Sequence, residues 1–427
     1  MKKAFSNELY VELQSKHIQE RIDQFDNKLY LEFGGKLFDD NHASRVLPGF
    51  EPDSKLKMLL TFKDKVEVII AVCAKDLERH KVRSDLGISY DDEVLRLIDE
   101  YHRVGLYVGS VAITQYRHQN AADTFKAKLE NRGVKVFIHY PIEGYPHDVN
   151  HIISQDGFGK NDYIETSKPL VVVTAPGPGS GKMATCLSQL YHEHLHGVNA
   201  GYAKFETFPI WNLPLKHPVN LAYEAATIDL NDVNMIDPFH LEKYNETTVN
   251  YNRDIEIFPV LNAMFNKIFG ESPYASPTDM GVNMAGYAII DNEAAKDASC
   301  REIVRRYYHA EVDYLMGKIN TKSLEKMQML LSQANVDAKN RKCAIFAKEI
   351  AEARQVPACA IELNDGHLIS GKTSSLLRAS SAALLNALKY LAGIDQEIEL
   401  ISPDMLQSIL SLKNNYLNIA NPLLDID

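Results

Sequence analysis

Six short runs of apolar, β-branched and aromatic residues recur through the first half of the chain: Leu29 to Phe33, Val66 to Ala74, Leu106 to Thr114, Val134 to Tyr140, Leu170 to Thr174 and Ala200 to Phe205. Between them, Asp92 to Arg103 and Ala121 to Asn131 carry apolar residues three and four apart, the period of a helix with one buried face, and Gly133 stops the second. Strand and helix in alternation bury both partners as a sheet with crossover helices. The expected class is therefore α/β with a mostly parallel, Rossmann-like or P-loop-like sheet.

From Asn212 to about Ser276 the sequence turns to Pro, Asn, Asp and Tyr, which reads as long ordered loops and short helices around a site. A helical block is expected over Asn292 to Ala334, with Arg301, Glu302, Arg305 and Arg306 on a solvated face. Beyond Asp337 come a helix (Cys343 to Arg354), a strand (Ala358 to Leu363), an Asn364-Asp365-Gly366 turn, a strand (His367 to Ser370) and a helix (Leu376 to Leu391). The 427 residues give material for about three domains. The expected divisions are a Rossmann-like α/β domain over 1–165, an α/β domain with a phosphate-loop-like motif over 166–290, a helical insert over 291–336 and an α-β-β-α subdomain over 337–427.

Composition narrows the function. Acidic side chains number 57 against 46 basic ones, a formal charge of −11, so a general grip on nucleic acid or anionic lipid has no electrostatic support. Any phosphate must be held locally. Five scattered cysteines form no Cys-x-x-Cys pair, which argues against a disulfide scaffold or a zinc knuckle. Met1-Lys2-Lys3 turns polar at Ser6-Asn7-Glu8, so no signal-peptide apolar region follows, and no run approaches a membrane span. The expected location is the cytoplasm. Neither nucleic acid nor membrane is an expected partner, and a homo-oligomer is compatible with the composition.

The strongest chemical feature is Val171-Val172-Val173-Thr174-Ala175-Pro176-Gly177-Pro178-Gly179-Ser180-Gly181-Lys182, followed by a helix-like Met183 to Leu195. Strand, glycine turn, lysine and helix is the order a phosphate cradle requires: glycines let backbone N–H groups close around oxygens, and the helix N-terminus adds partial positive charge. The run Gly177 to Lys182 resembles the loop of nucleoside monophosphate kinases. It departs from G-x-x-x-x-G-K-[ST] at Pro176, where the first glycine would stand, and at Met183, where the Mg²⁺-binding hydroxyl would stand. Thr185 is the nearest hydroxyl. The candidate phosphate ligands are Gly177, Gly179, Ser180, Gly181, Lys182 and Met183. A second strand-end turn, Gly34-Gly35-Lys36, is a further candidate, and Gly371-Lys372-Thr373 is a weaker mimic.

His192-Glu193-His194-Leu195-His196 fits H-E-x-x-H, which on a helix puts two imidazoles on one face with a glutamate as base. Two features oppose a zinc site. The extension of metzincins is missing, with Asn199 and Tyr202 in its place, and the run ends a helix that Gly197 caps, where histidines suit the dipole without metal.

Downstream of the last strand lie Lys204, Glu206, His217, Tyr223, Glu224, Asp229, Asp232, Asn234, Asp237 and His240. Glu206 at a strand's carboxyl end and His217 after it suit acid–base chemistry, and with Lys182 and Glu224 they are the candidate catalytic residues. Each also has a bland reading as a hydrogen-bonded loop residue. In Ser276-Pro277-Thr278-Asp279-Met280-Gly281, Asp279 is expected to cap a turn.

Thr174 to Lys182, Tyr202-Ala203-Lys204-Phe205-Glu206-Thr207-Phe208-Pro209-Ile210-Trp211 and Ser276 to Gly281 resemble a bacterial family known only as domain of unknown function 1846. The resemblance runs from Leu29 to Ser375. Members have sometimes been labelled ATP-dependent peptidases. The resemblance implies a large α/β body, a helical insert and a C-terminal unit similar to the cytidine-deaminase layer. Deaminase chemistry is not expected, because His-x-Glu and Pro-Cys-x-x-Cys are missing.

The expected function is binding of a nucleotide, ATP among them, or another phosphorylated small molecule, with NTP-dependent phosphoryl transfer or ligation by a transferase, ligase or hydrolase. Met183 leaves Mg²⁺ open, and zinc is not expected. A non-catalytic nucleotide-binding sensor or scaffold is the alternative, with a zinc peptidase third.

Overall fold

The computed structural model describes residues 2–34, 37, 40–83, 86–230, 232–398, 400–419 and 423–424. The chain divides into two compact units, residues 2–302 and 303–427.

The first unit is built on a seven-stranded sheet of β1 (Leu29–Phe33), β2 (Val66–Cys73), β3 (Tyr107–Thr114), β4 (Lys135–Ile138), β5 (Leu170–Thr174), β6 (Gly201–Phe205) and β7 (Gly281–Val282). Their order across the sheet is β7-β6-β1-β5-β2-β3-β4, and every pairing is parallel. All residues of β1, β2 and β5 are buried, which is why these runs are apolar nearly end to end. The first six strands are those read from the sequence, to within three residues at each end. The two-residue edge strand β7 is too short to carry a pattern.

Winding matters for the site. From β2 the chain steps outward to β3 and β4, then returns to lay β5 in the centre, between β1 and β2. From β5 it steps the other way, across β1 to β6 and on to β7. Crossovers share one hand, so reversing direction moves the helices to the opposite face and opens a crevice at the carboxyl ends of β2 and β5. The glycine-rich loop leaves β5 at that crevice.

The segment expected to hold long ordered loops and short helices contains the short helices Pro218–Ala226 and Pro238–Tyr244 but also a long one, Asn252–Phe269. Its Pro259 obscures the pattern, but Pro259 lies on the exposed side while Ile255, Phe258, Leu261, Phe265 and Ile268 are buried. Another correction concerns Glu302, expected on a solvated face: it is buried, with its carboxylate 3.8 Å from the His42 imidazole. The cap at the start of Pro277–Met280 is Ser276, which accepts from the Asp279 N–H at 3.1 Å, while Asp279 accepts from the Ala275 N–H at 2.9 Å.

The second unit begins within the helix Asn292–Leu315 and continues through Thr321–Gln333 and Lys342–Arg354. An antiparallel hairpin of β8 (Ala358–Glu362) and β9 (Leu368–Lys372) and the helix Ala379–Leu391 complete the α-β-β-α order. The Pro403–Asn415 helix beyond them was not expected. Gly371 sits in β9, where a Cβ would lie 2.1 Å from the Ala383 nitrogen, so close helix packing accounts for this glycine. A cavity of about 620 Å³ lined by Tyr307, Gln328 and Asn335 also lies in this unit. No helix among the described residues is long and apolar enough to cross a membrane.

Candidate functional site

The loop between β5 and the helix Lys182–Leu195 is pinned by its neighbours. The Thr114 hydroxyl, at the end of β3, donates to the Ser180 carbonyl at 2.8 Å, and the Ser180 hydroxyl donates to the Gly177 carbonyl at 2.9 Å. A Cβ at Gly177 would lie 2.1 Å from the Tyr90 hydroxyl, and one at Gly181 would lie 2.9 Å from Thr114 Oγ1. Gly179 and Gly181 adopt left-handed φ of +76° and +89°, the conformation that turns successive amides toward one concavity.

What the loop leaves open is its donor set. The N–H groups of Gly177, Gly179, Ser180, Gly181, Lys182 and Met183 donate to no described residue; the first bond of the helix is Thr185 N–H to the Gly181 carbonyl at 2.9 Å. Gly181 at the N-cap has no side chain to fill them, and no acidic residue occupies the first turn. Lys182 is half-buried and has no hydrogen bond or ion pair among the described residues. Thr185 is fully buried with an unpartnered hydroxyl.

A second group gathers at the end of β6. Lys204 lies in register with Glu32 of β1. Its ammonium donates to Asp254 and to the Tyr251 hydroxyl and stands 3.2 Å from Glu206 Oε1, to which Tyr251 Oη also donates at 3.3 Å. Glu32 accepts from Tyr202 Oη at 2.6 Å. Burial pushes the Glu206 carboxyl up to about 8; Lys204 opposes the shift and Asp254 adds to it. Burial disfavours charged Lys204, but Asp254, then Glu206 and Glu32, hold it well above the usual lysine range. Perturbed groups of this kind cluster at functional sites.

The two groups share one edge of the sheet. β5 and β6 are separated by β1 alone, so their ends are about 10 Å apart at roughly 4.8 Å per strand step. The Cys186 thiol of the helix Lys182–Leu195 is buried, and burial raises its pKa, with Glu32 adding to the rise and Lys182 opposing it.

Other candidates are placed elsewhere. Gly34 closes β1 against β6, where a Cβ would stand 3.0 Å from the Phe205 carbonyl, while Gly35 and Lys36 lie outside the described residues. His217 is the N-cap of Pro218–Ala226: Nδ1 accepts from the Val219 N–H at 3.3 Å and Nε2 faces Asn292 Oδ1 at 3.0 Å, leaving a neutral ring whose pKa burial lowers. Glu224 accepts from the Asn234 N–H at 3.0 Å. In the His192 to His196 run, His192 Nε2 bonds the Phe158 carbonyl at 3.1 Å, Glu193 accepts from Tyr30 Oη at 2.6 Å, and His196 Nδ1 bonds the His192 carbonyl at 2.7 Å. Gly197 follows with φ +76°, as the capping reading requires. These groups serve the helix end and the sheet, and the described residues contain no cluster of His, Cys, Asp or Glu suited to a metal.

Asp254, Tyr251, Glu32, Thr114 and Tyr90 were not singled out from the sequence. Only Glu32, the one charge in an apolar strand, carried a local signal.

The profile of the family "Domain of unknown function DUF1846, N-terminal" matches residues 3–335, and that of "Domain of unknown function DUF1846, C-terminal" matches residues 339–427. The chain is 59% identical over 423 residues to "UPF0371 protein str1377" of Streptococcus thermophilus (strain CNRZ 1066), covering 99% of this chain and 86% of that protein. It is 58% identical, with the same coverage, to "UPF0371 protein" of Streptococcus pneumoniae (strain JJA).

Proposed function

For this chain, which belongs to the DUF1846 family, we propose binding of a nucleotide or other phosphorylated small molecule through the loop Gly177 to Met183. One observation carries the reading: a run of backbone N–H groups without acceptors among the described residues, ending on a lysine with no partner among them, at a helix N-terminus where the sheet reverses its winding. The amides and Lys182 would hold the phosphate oxygens. The nearby Lys204, Glu206 and Asp254 would supply charge and exchangeable protons for an enzymatic use of the ligand.

A second reading is a nucleotide-binding sensor without turnover. Met183 favours it, because a methionine in place of the hydroxyl gives Mg²⁺ no ligand at that point.

The test is thermal unfolding with inorganic phosphate, ADP and ATP, with and without Mg²⁺, for the wild type and Lys182→Ala. A ligand at 100 times its Kd stabilises by about 2.7 kcal/mol. The reading expects stabilisation that Lys182→Ala removes; no stabilisation by any phosphate, or stabilisation that survives the substitution, refutes it. Turnover of the bound nucleotide or ester separates enzyme from sensor.

A further inference from the structure

We propose that β8 is a dimerisation edge: two copies of this chain pair β8 with β8, antiparallel about a two-fold axis at Ala360, and so join their hairpins into one continuous sheet.

The hairpin ladder decides which backbone groups are free. Thr373 donates its N–H to the Pro357 carbonyl and Leu363 donates to the His367 carbonyl, each at 2.9 Å. Bonded residues alternate along an antiparallel pair, so Cys359 and Ile361 face β9 while Ala358, Ala360 and Glu362 turn their N–H and C=O groups to the opposite edge. No other described element bonds those groups. The outer edge of β9 differs, since Asn386 Nδ2 donates to its Ser370 carbonyl at 2.8 Å.

Burial shows the same asymmetry. The helix Ala379–Leu391, which packs mainly on β9, buries Ala379, Ala383 and Ala387. The helix Lys342–Arg354, which packs mainly on β8, buries no residue: its Ile345, Phe346 and Ile350 stay half-exposed, as do Ala358 to Ile361 of the strand. A finished helix-on-sheet layer buries the apolar stripe of its helix, so this layer lacks a neighbour on the β8 side. Edges that must stay single carry lysine, proline or a bulge; β8 has none of these, and Glu362 is its only charge.

A second β8 fits this edge. Pairing about Ala360 sets Ala360 against its twin and Ala358 against the partner's Glu362, so each free N–H meets a free C=O and no like charges face each other. Cys359 then lies opposite the partner's Ile361, an apolar pair on the face of Gly371, which the Ala379–Leu391 helix covers. The five-residue strand and the helix beside it make a strip about 20 Å long and about 20 Å deep. That is on the order of 400–500 Å² per copy, near the ~1,000 Å² total at which specific interfaces begin, and it sets the dimer in the micromolar range.

Sedimentation equilibrium of the full chain between about 1 and about 200 µM tests this. The wild type should pass from monomer to dimer, with amide exchange at Ala360 and Glu362 slowing as the dimer fills. Ala360→Pro removes an N–H that the β9 ladder does not use, so the hairpin survives and the dimer should weaken about ten-fold or more. Ala360→Lys and Ala360→Glu each set like charges against each other and should weaken it as much, whereas an equimolar mixture of the two should associate again. Each variant is checked for a cooperative melt. A wild type that stays monomeric throughout, as it would if the edge served a strand of another protein, overturns the inference. So does a dimer that Ala360→Pro leaves unchanged, or a mixture of the charged variants that fails to associate.

Discussion

Gly181→Ala probes the cradle's construction directly. Gly181 has φ +89°, and an L-residue held in the left-handed region costs about 1–2 kcal/mol. The added methyl would also lie 2.9, 3.0 and 3.1 Å from Oγ1, Cγ2 and Cβ of buried Thr114. Thr114 has little room to retreat, since its hydroxyl donates to the Ser180 carbonyl; losing that bond adds about 0.5–1.5 kcal/mol. Against this, alanine removes about 0.4–1 kcal/mol of unfolded-state entropy. The net loss is about 1–3 kcal/mol, a fall in Tm of roughly 2–5 °C for a unit of this size. Gly179→Ala is the control: its φ is +76°, but nothing lies within 4 Å of the new Cβ, so only backbone strain remains. Chemical denaturation of both variants should place Gly181→Ala clearly below Gly179→Ala. Thr114→Ala, combined with Gly181→Ala, should recover about 1 kcal/mol relative to additivity. Equal stability of the two glycine variants, or strict additivity in the double mutant, would refute the packing described for this loop.

Three further outcomes follow from the same geometry. The Glu206 carboxyl, raised from 4.5 to about 8, binds its proton more tightly when folded; its contribution to stability is fully present below about pH 4.5 and is lost as pH rises through about 8. Glu206→Gln should therefore gain about 1–3 kcal/mol relative to wild type between about pH 5 and about pH 9 in denaturation curves, and a constant difference contradicts the shift. His217→Ala loses the N-cap contact to Val219 and the contact to Asn292, so its melt should fall by about 1–2 kcal/mol while phosphate affinity is unchanged; lost affinity would place His217 in the site. Tyr30→Phe removes the 2.6 Å bond to Glu193 and should cost about 1.5–3 kcal/mol, with the wild-type melt insensitive to chelators; stoichiometric zinc in the purified protein would contradict the structural role given to His192 and Glu193.

The backbone order was legible because the strands of a parallel sheet covered on both faces are continuous apolar runs. Val171 to Thr174 and its glycine turn announce strand, loop and helix without tertiary information. The long Asn252–Phe269 helix was not legible, since Pro259 and the polar residues before it interrupt the period and the buried stripe emerges only against the sheet. Glu302 was misplaced for a related reason: charge density along a helix does not reveal which charge turns inward.

By itself the sequence determined the α/β class, the strands in order and a glycine-rich turn before Lys182, because these depend on residue periods and backbone freedom within a few positions. Only the tertiary structure decided that β5 lies in the centre, that its turn leaves six amides without acceptors among the described residues, and that Glu206 is joined by Asp254, 48 positions away, around Lys204. Burial, charge coupling and unsatisfied donors are properties of what surrounds a residue, and the winding of the sheet sets those surroundings.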